Sequence, residues 1–190
     1  TGPGLWERPK GDAPAGNILE QCSRATPGTA HKVMYKLWRA GVLKHVISQN
    51  VDGLHRKSGI PAEALSELHG NIFVERCTRC GWEVEREFNT ICPGGLTGRT
   101  CENGRCGGPL QHTGVGFGQD LPPKVVRRAW AECEKADLCL ALGSSITVTP
   151  ASDMPAWVAE RNARRSGRGL VIVNLQATPC DAQAALRVNG

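Results

Sequence analysis

Two close cysteine pairs constrain this chain more than any other feature. Cys77 and Cys80 are two residues apart, Cys101 and Cys106 four, and 20 residues separate the pairs. Residues 77–110 show little periodic apolar pattern. A module shorter than ~40 residues rarely builds a core of its own and usually needs a metal or a disulfide. The chain has nine cysteines, an odd number, so complete internal pairing is impossible. The other five (Cys22, Cys92, Cys133, Cys139 and Cys180) are scattered. Close pairs among leftover thiols suit a reducing compartment and one Zn²⁺ held by Cys77, Cys80, Cys101 and Cys106. The competing reading is free thiols or partial disulfides. Gly81 and Gly107 follow the second cysteine of each pair and allow the tight turns. Four protein ligands leave no position for water, which makes such a zinc structural. Cys92 is a lesser competitor as ligand, and Cys22, Cys133, Cys139 and Cys180 read as small buried apolar residues.

Around this module the chain alternates helix and strand. Residues 1–25 are rich in Gly and Pro and read as loop. Thr26-Pro27 offers a helix start, with Ala30, Val33, Met34, Leu37 and Trp38 on one face and Gly41 as the stop. A strand is expected over residues 43–48, a short helix from Pro61 to about Leu68, and a strand at Ile72-Phe73-Val74. Pro122-Pro123 opens a helix carrying Val125, Val126, Ala129, Trp130 and Cys133 on one side. Residues 138–142 and 170–173 are continuous apolar runs, as for strands buried on both faces. A basic, helix-like stretch lies between them at roughly 152–165. This order predicts an α/β fold: a doubly wound, Rossmann-like parallel sheet from residues 1–76 and 111–190, with the cysteine module of 77–110 inserted.

Three of the apolar strands end in small or amide residues. The clusters are Gln49/Asn50/Asp52, Gly143/Ser144/Ser145 and Asn174/Gln176. Ligand crevices of open α/β sheets lie at the carboxyl ends of the strands, so the three are expected to serve one site. Gly143-Ser144-Ser145 can present amides and hydroxyls to a phosphate, or can be an ordinary turn. Asn174 and Gln176 can read ribose hydroxyls or an adenine edge, or can cap a loop. His69, at a junction before Gly70, can act as a base near neutral pH or be a satisfied structural histidine. No G-x-G-x-x-G follows a strand: Gly114-Val115-Gly116-Phe117-Gly118 leads into Gln119-Asp120-Leu121-Pro122, which is no immediate helix start.

Together these segments resemble the sirtuins, the NAD-dependent protein deacylases. Residues 48–55 (SQNVDGLH), 67–71 (ELHGN), the cysteine quartet and 142–145 (LGSS, with Val148 and Pro150-Ala151 after it) are similar to the family's ordered motifs. IVNLQ at 172–176, GPGLW at 2–6 and TGR at 97–99 resemble the nuclear, class IV branch. The resemblance implies that His69 is the catalytic base acting on a ribose hydroxyl. It implies that Gln49, Asn50 and Asp52 line a nicotinamide–ribose pocket, and that Gly143, Ser144, Ser145, Asn174 and Gln176 contact NAD phosphate and adenosine. Trp6 matches a cofactor-side tryptophan. Val115, Gly116, Phe117 and Gly118 match a strand that pairs with an acyl-lysine peptide. Gln119 stands where the family usually has Glu. The family's GAGxS phosphate loop is not represented, so the chain reads as a catalytic-domain fragment.

The implied reaction consumes NAD and releases nicotinamide and O-acyl-ADP-ribose. The implied substrate is an acyl-lysine protein, with histones or other nuclear proteins foremost, and the implied location is the nucleus. Chromatin association also fits the formal charge of +5, which one Zn²⁺ with four thiolates would lower to about +3. The alternatives are mono-ADP-ribosyl transfer and a non-catalytic zinc-module binding protein. The second would cluster Lys/Arg and aromatics inside 77–110, yet Glu83, Glu85, Glu87 and Glu102 balance the arginines there. No apolar run approaches the ~20 residues that span a bilayer, so no membrane role is expected.

Overall fold

The structure, a computed structural model, describes residues 15–116, 118–163 and 169–190. The chain divides into two compact units, Thr1–Asp120 and Leu121–Gly190. Trp6 and Phe117 lie outside the described residues.

The first unit starts with two helices, α1 (Ala15–Arg24) and α2 (Thr29–Arg39). Helix α1 corrects the reading of residues 1–25 as loop. Helix α2 begins three residues after Thr26. Gly28 is its extended cap residue, and no side chain caps it. Its other end closes as expected at Gly41: the Gly41 N–H donates to Trp38 O and the Val42 N–H to Leu37 O, satisfying carbonyls the helix leaves open. Met34, Tyr35, Trp38 and Leu43 pack on a core of Val46, Ile60, Ala64 and Leu65.

After α2 come β1 (Val46–Ser48), α3 (Leu54–Lys57) and β2 (Leu65–Glu67). Strand β2 replaces the second half of the helix expected from Pro61. Only a 3-10 turn, Ala62–Ala64, forms there. Leu65-Ser66-Glu67 has neither alternation nor β-branched residues. It is extended because it pairs in parallel with β1, in the register Val46↔Leu65, Ile47↔Ser66 and Ser48↔Glu67. All three of its residues are buried, so tertiary pairing overrides propensity.

Strands β3 (Val74–Cys77), β4 (Glu83–Glu85), β5 (Leu96–Thr100) and β6 (Pro109–His112) form an antiparallel sheet in the order β4-β3-β6-β5. Strand β3 starts two residues later than the expected Ile72. Its Glu75 side chain is fully buried. Arg86 Nε and Arg99 Nε donate to its two oxygens at 2.7 and 2.8 Å, and the Thr97 hydroxyl donates to Oε1. Burial would raise the Glu75 pKa. The Thr97 bond and the two guanidinium groups outweigh burial and hold it below the usual glutamate value. The unfolded chain therefore binds the proton more readily. Glu75 stabilises the fold above about pH 4.3, and this contribution disappears as pH falls through its lower folded value. Urea melts of wild type and Glu75→Gln should differ most near neutral pH and converge in acid. A constant difference across that range would contradict this account.

The second unit holds α4 (Pro123–Lys135), β7 (Leu138–Leu142), α5 (Asp153–Ala163), β8 (Gly169–Val173) and β9 (Leu186–Val188). Helix α4 starts as expected, with Pro122 at the cap and Pro123 at the first position. Arg161 and Asn162 of α5 donate to the Glu134 and Ala136 carbonyls at the end of α4, and Asn162 also to Asp137 O just beyond it. The three strands are all parallel, in the order β7-β8-β9. Leu170 and Ile172 of the central strand are fully buried in a core with Ile146, Ala159 and Cys180. Strand β7 departs from the reading as buried on both faces. Cys139 and Ala141 pack on that core, whereas Leu138, Leu140 and Leu142 stay exposed. Among the described residues only one face of this sheet is packed, by the core that α5 shares, so the pattern alternates on β7 as it does on β8. Among the described residues no helix is long and apolar enough to cross a membrane. The result is the expected α/β architecture: parallel sheets, with the cysteine quartet on an antiparallel sheet of its own.

Candidate functional site

The four quartet sulfurs lie within 4.8 Å of one another. Cys77 Sγ is 3.7 Å from Cys106 Sγ, and Cys80 Sγ is 3.6 Å from Cys101 Sγ. A tetrahedron with Zn–S of ~2.3 Å has edges of ~3.8 Å, so the donors already have the size of a zinc cage. Cys77 ends β3 and Cys101 follows β5. Gly81 and Gly107 both have left-handed backbone, which turns the chain back after each pair. The Cys80 and Arg79 N–H groups point at Cys77 Sγ and hold its thiol down to about 6, against burial. Burial pushes the Cys101 thiol up to about 12. That thiol ionises only if a cation supplies the charge. Cys92 is not part of the quartet, and its thiol donates to Leu96 O. Cys133 and Cys139 are pushed up by burial to about 11 and about 12, as inert thiols. Cys22 is only half-buried, less than expected.

The parallel pairing of β1 and β2 brings two of the predicted segments together. Residues 49–52 leave β1 where 68–71 leave β2, and the Leu68 N–H continues the ladder to Ser48 O. His69 Nδ1 lies 3.0 Å from Gln49 O. A carbonyl only accepts, so Nδ1 carries a proton, and in the neutral ring Nε2 is the nitrogen with the lone pair. Asp52 Oδ1 accepts the Leu54 N–H just ahead of α3, whose cap residue is Gly53, and Ser48 Oγ accepts the Asn50 N–H. Gln49 and Asp52 are half-buried and Asn50 is exposed. Val115 joins this group, since its N–H donates to His69 O at 2.9 Å. Gln119 Oε1 accepts the Gly116 N–H at 2.8 Å.

In the second unit, the register Leu142↔Val173 and the bond from the Gly143 N–H to Val173 O place two clusters at one edge of the sheet. Gly143–Ser145 leaves β7 there and Asn174–Gln176 leaves β8. Among the described residues, apart from its chain neighbours, no atom lies within 4 Å of where a Gly143 Cβ would sit, so the backbone is open there. Ser144 Oγ accepts the Ile146 N–H, and Ser145 Oγ bonds Thr147 Oγ1. Ile146 has φ +52°, a left-handed backbone for a β-branched residue, and such strain collects at functional turns.

Sequence reasoning missed Arg187 of β9. Its guanidinium donates to Asn174 O and Gln176 O at 2.6 Å each, and to Asp181 Oδ1 at 3.2 Å. It fixes the backbone of the two predicted adenosine-side residues. No motif marks it, because its bonds to the two predicted residues go to their main-chain carbonyls.

A sequence model described as the Sir2 family matches residues 14–150. The chain is 44% identical over 190 residues to NAD-dependent protein deacetylase SRT1 of Arabidopsis thaliana, covering 98% of this chain and 39% of that protein. It is similar to the solved structure titled as a Sir2 homolog–NAD complex, with TM-score 0.71 and 35% identity over 91% of this chain and 63% of that one. It is also similar to Sir2Tm bound to a propionylated peptide, with TM-score 0.69 and 33% identity over 93% of this chain and 70% of that one. The chain thus spans well under half the length of the plant relative.

Proposed function

This chain belongs to the Sir2 family, and from that premise we propose that the whole protein is an NAD-dependent protein-lysine deacylase. One observation carries the reading. His69 sits at the carboxyl edge of a parallel strand pair with Nδ1 spent on Gln49 O and Nε2 left as a base. Relatives titled as deacetylases, and homologues titled as complexes with NAD and with acyl peptide, support it.

In the proposed reaction, the acyl oxygen bonds to the ribose carbon that bears nicotinamide, and nicotinamide leaves with the bonding pair. His69 Nε2 then takes the proton of the neighbouring ribose hydroxyl, whose oxygen attacks the imidate carbon. Gln49, Asn50 and Asp52 line the nicotinamide–ribose side. Gly143, Ser144 and Ser145 meet phosphate, and Asn174 and Gln176, held by Arg187, meet adenosine. Residues 115–118 take the peptide by strand addition. The quartet holds one Zn²⁺, which braces the antiparallel sheet and takes no part in the chemistry. The substrate is an acyl-lysine nuclear protein, histone tails foremost, and the location is the nucleus. The class IV-like segments IVNLQ and TGR and the basic charge support this finer assignment.

The test uses the full-length protein with an acetyl-lysine histone peptide, with and without NAD, and mass spectrometry of the products. O-acetyl-ADP-ribose that requires NAD and vanishes with His69→Ala is the expected result. ADP-ribose attached to protein, without the acyl product, would replace this reading with ADP-ribosyl transfer. Failure to bind NAD at all would leave a zinc-module binding protein.

A further inference from the structure

Residues on both sides of His69 belong to one polar chain, buried at its centre, which the proposed reaction does not use. Glu67, two residues before it, is buried with both oxygens engaged. Arg56 Nε of α3 donates to Oε2 at 2.8 Å, and Asn71 Nδ2 donates to Oε1 at 2.7 Å. Asn71, two residues after His69, is 1% exposed. Its Oδ1 accepts the Phe73 N–H at 2.9 Å, which fixes which end of the amide faces Glu67. The main chain of Asn71 is bridged by one hydroxyl: its N–H lies 3.1 Å from Thr113 Oγ1, and that oxygen lies 3.0 Å from Asn71 O. Two residues beyond Thr113, the Val115 N–H reaches back to His69 O.

We infer that Arg56, Glu67, Asn71 and Thr113 are positioning residues that hold His69 in register with the segment beginning at Val115, so that the base and the peptide-pairing backbone move as one piece. This rests on the function proposed above, and it adds a division of labour within the site. Departure of nicotinamide needs the acyl oxygen and the ribose carbon. The attack that follows needs His69 Nε2 at the hydroxyl. A loosened histidine therefore slows the second step far more than the first. A network that only supported the fold would slow both together.

Glu67→Gln is the sharpest probe, because it keeps the shape and cannot keep the bonds. The new NH2 faces either Arg56 Nε or Asn71 Nδ2, both donors. Asn71 cannot turn over without losing its bond from the Phe73 N–H. The full-length variant is assayed two ways with an acyl-lysine peptide: formation of O-acyl-ADP-ribose, and exchange of labelled nicotinamide into NAD, which reads the first step through its reversal. Product formation should fall by roughly 10- to 100-fold while exchange stays within about threefold of wild type, the loss expected for a catalytic group misplaced by about 1 Å. Thr113→Val, which removes both hydroxyl bonds at near-constant volume, should give the same split, and Thr113→Ser should restore product formation. The Thr113 pair carries the test if Glu67→Gln does not fold, as judged by zinc content and melting. Equal loss of both steps, or no loss of either, overturns the inference. A wild-type protein that neither exchanges nor transfers overturns the deacylase reading, and this inference with it.

Discussion

Replacing Cys101 with serine should abolish bound zinc, from one ion per chain to none, and unfold the antiparallel sheet. The small core of that sheet is Cys77, Cys101 and Leu110, with Trp82, Val84 and Cys106 against it. Two of its three buried residues are themselves ligands, so little apolar packing remains once the metal goes. Structural zinc contributes on the order of 10 kcal/mol in peptides of this kind. A whole domain is stable by only about 5–15 kcal/mol. The apparent Tm of the full-length protein should therefore fall by more than about 10 °C, at roughly 2–4 °C per kcal/mol for a domain of this size. Elemental analysis and thermal melting check both parts, and prolonged chelation of the wild type should reproduce them. A Cys101→Ser protein that keeps its zinc would remove the quartet as the metal site.

Gly70→Ala should be nearly as damaging, and for a reason of shape alone. Gly70 follows the candidate base with φ +73°, and an added Cβ would lie 1.8 Å from Thr113 O and 2.5 Å from its carbonyl carbon. The obstacle is backbone, held on one side by the Asn71–Thr113 bridge and on the other by the bond from the Val115 N–H to His69 O. Gly94 has a similar φ of +78° with nothing within 4 Å. The Gly94→Ala substitution thus meets only the left-handed penalty, about 1–2 kcal/mol. Gly70→Ala adds the collision, and a loss above about 4 kcal/mol or outright failure to fold is expected. Denaturant melts of the two variants decide the matter, since equal costs would mean that the close approach at Gly70 is not real.

Where side-chain chemistry repeats locally, the sequence was readable. The quartet, the parallel β7–β8 pair and the start of α4 each carry their own signal in spacing, apolar run or Pro-Pro. The segments that escaped are those whose state is decided elsewhere in the chain. Strand β2 looks like the end of a helix until β1 lies beside it, and β9 has only three residues. Strand β7 reads as doubly buried because an apolar run does not say how many faces of its sheet will be covered. Within the candidate site, the strand ends and His69 stood out by residue type. Thr97 and Arg99, noticed as part of a motif, prove to hold the buried carboxylate of Glu75. Arg187 and Thr113 act through main-chain atoms, and that kind of role leaves no pattern of residue types to detect.

The bond from the Gly116 N–H to Gln119 Oε1 has a consequence for affinity. An amide already satisfied from within its own chain has to give up that bond before it can pair with anything else. On the peptide pairing proposed above, a strand adding at Gly116 would exchange one acceptor for another and recover only part of the roughly 0.5–1.5 kcal/mol that a hydrogen bond contributes. A carboxylate in place of Gln119 would hold the amide about twice as strongly, so the neutral side chain is the easier plug to displace. On the function proposed above, main-chain pairing here would align a peptide, and the tightness of the complex would have to come from what its side chains, the acyl-lysine first, find around them.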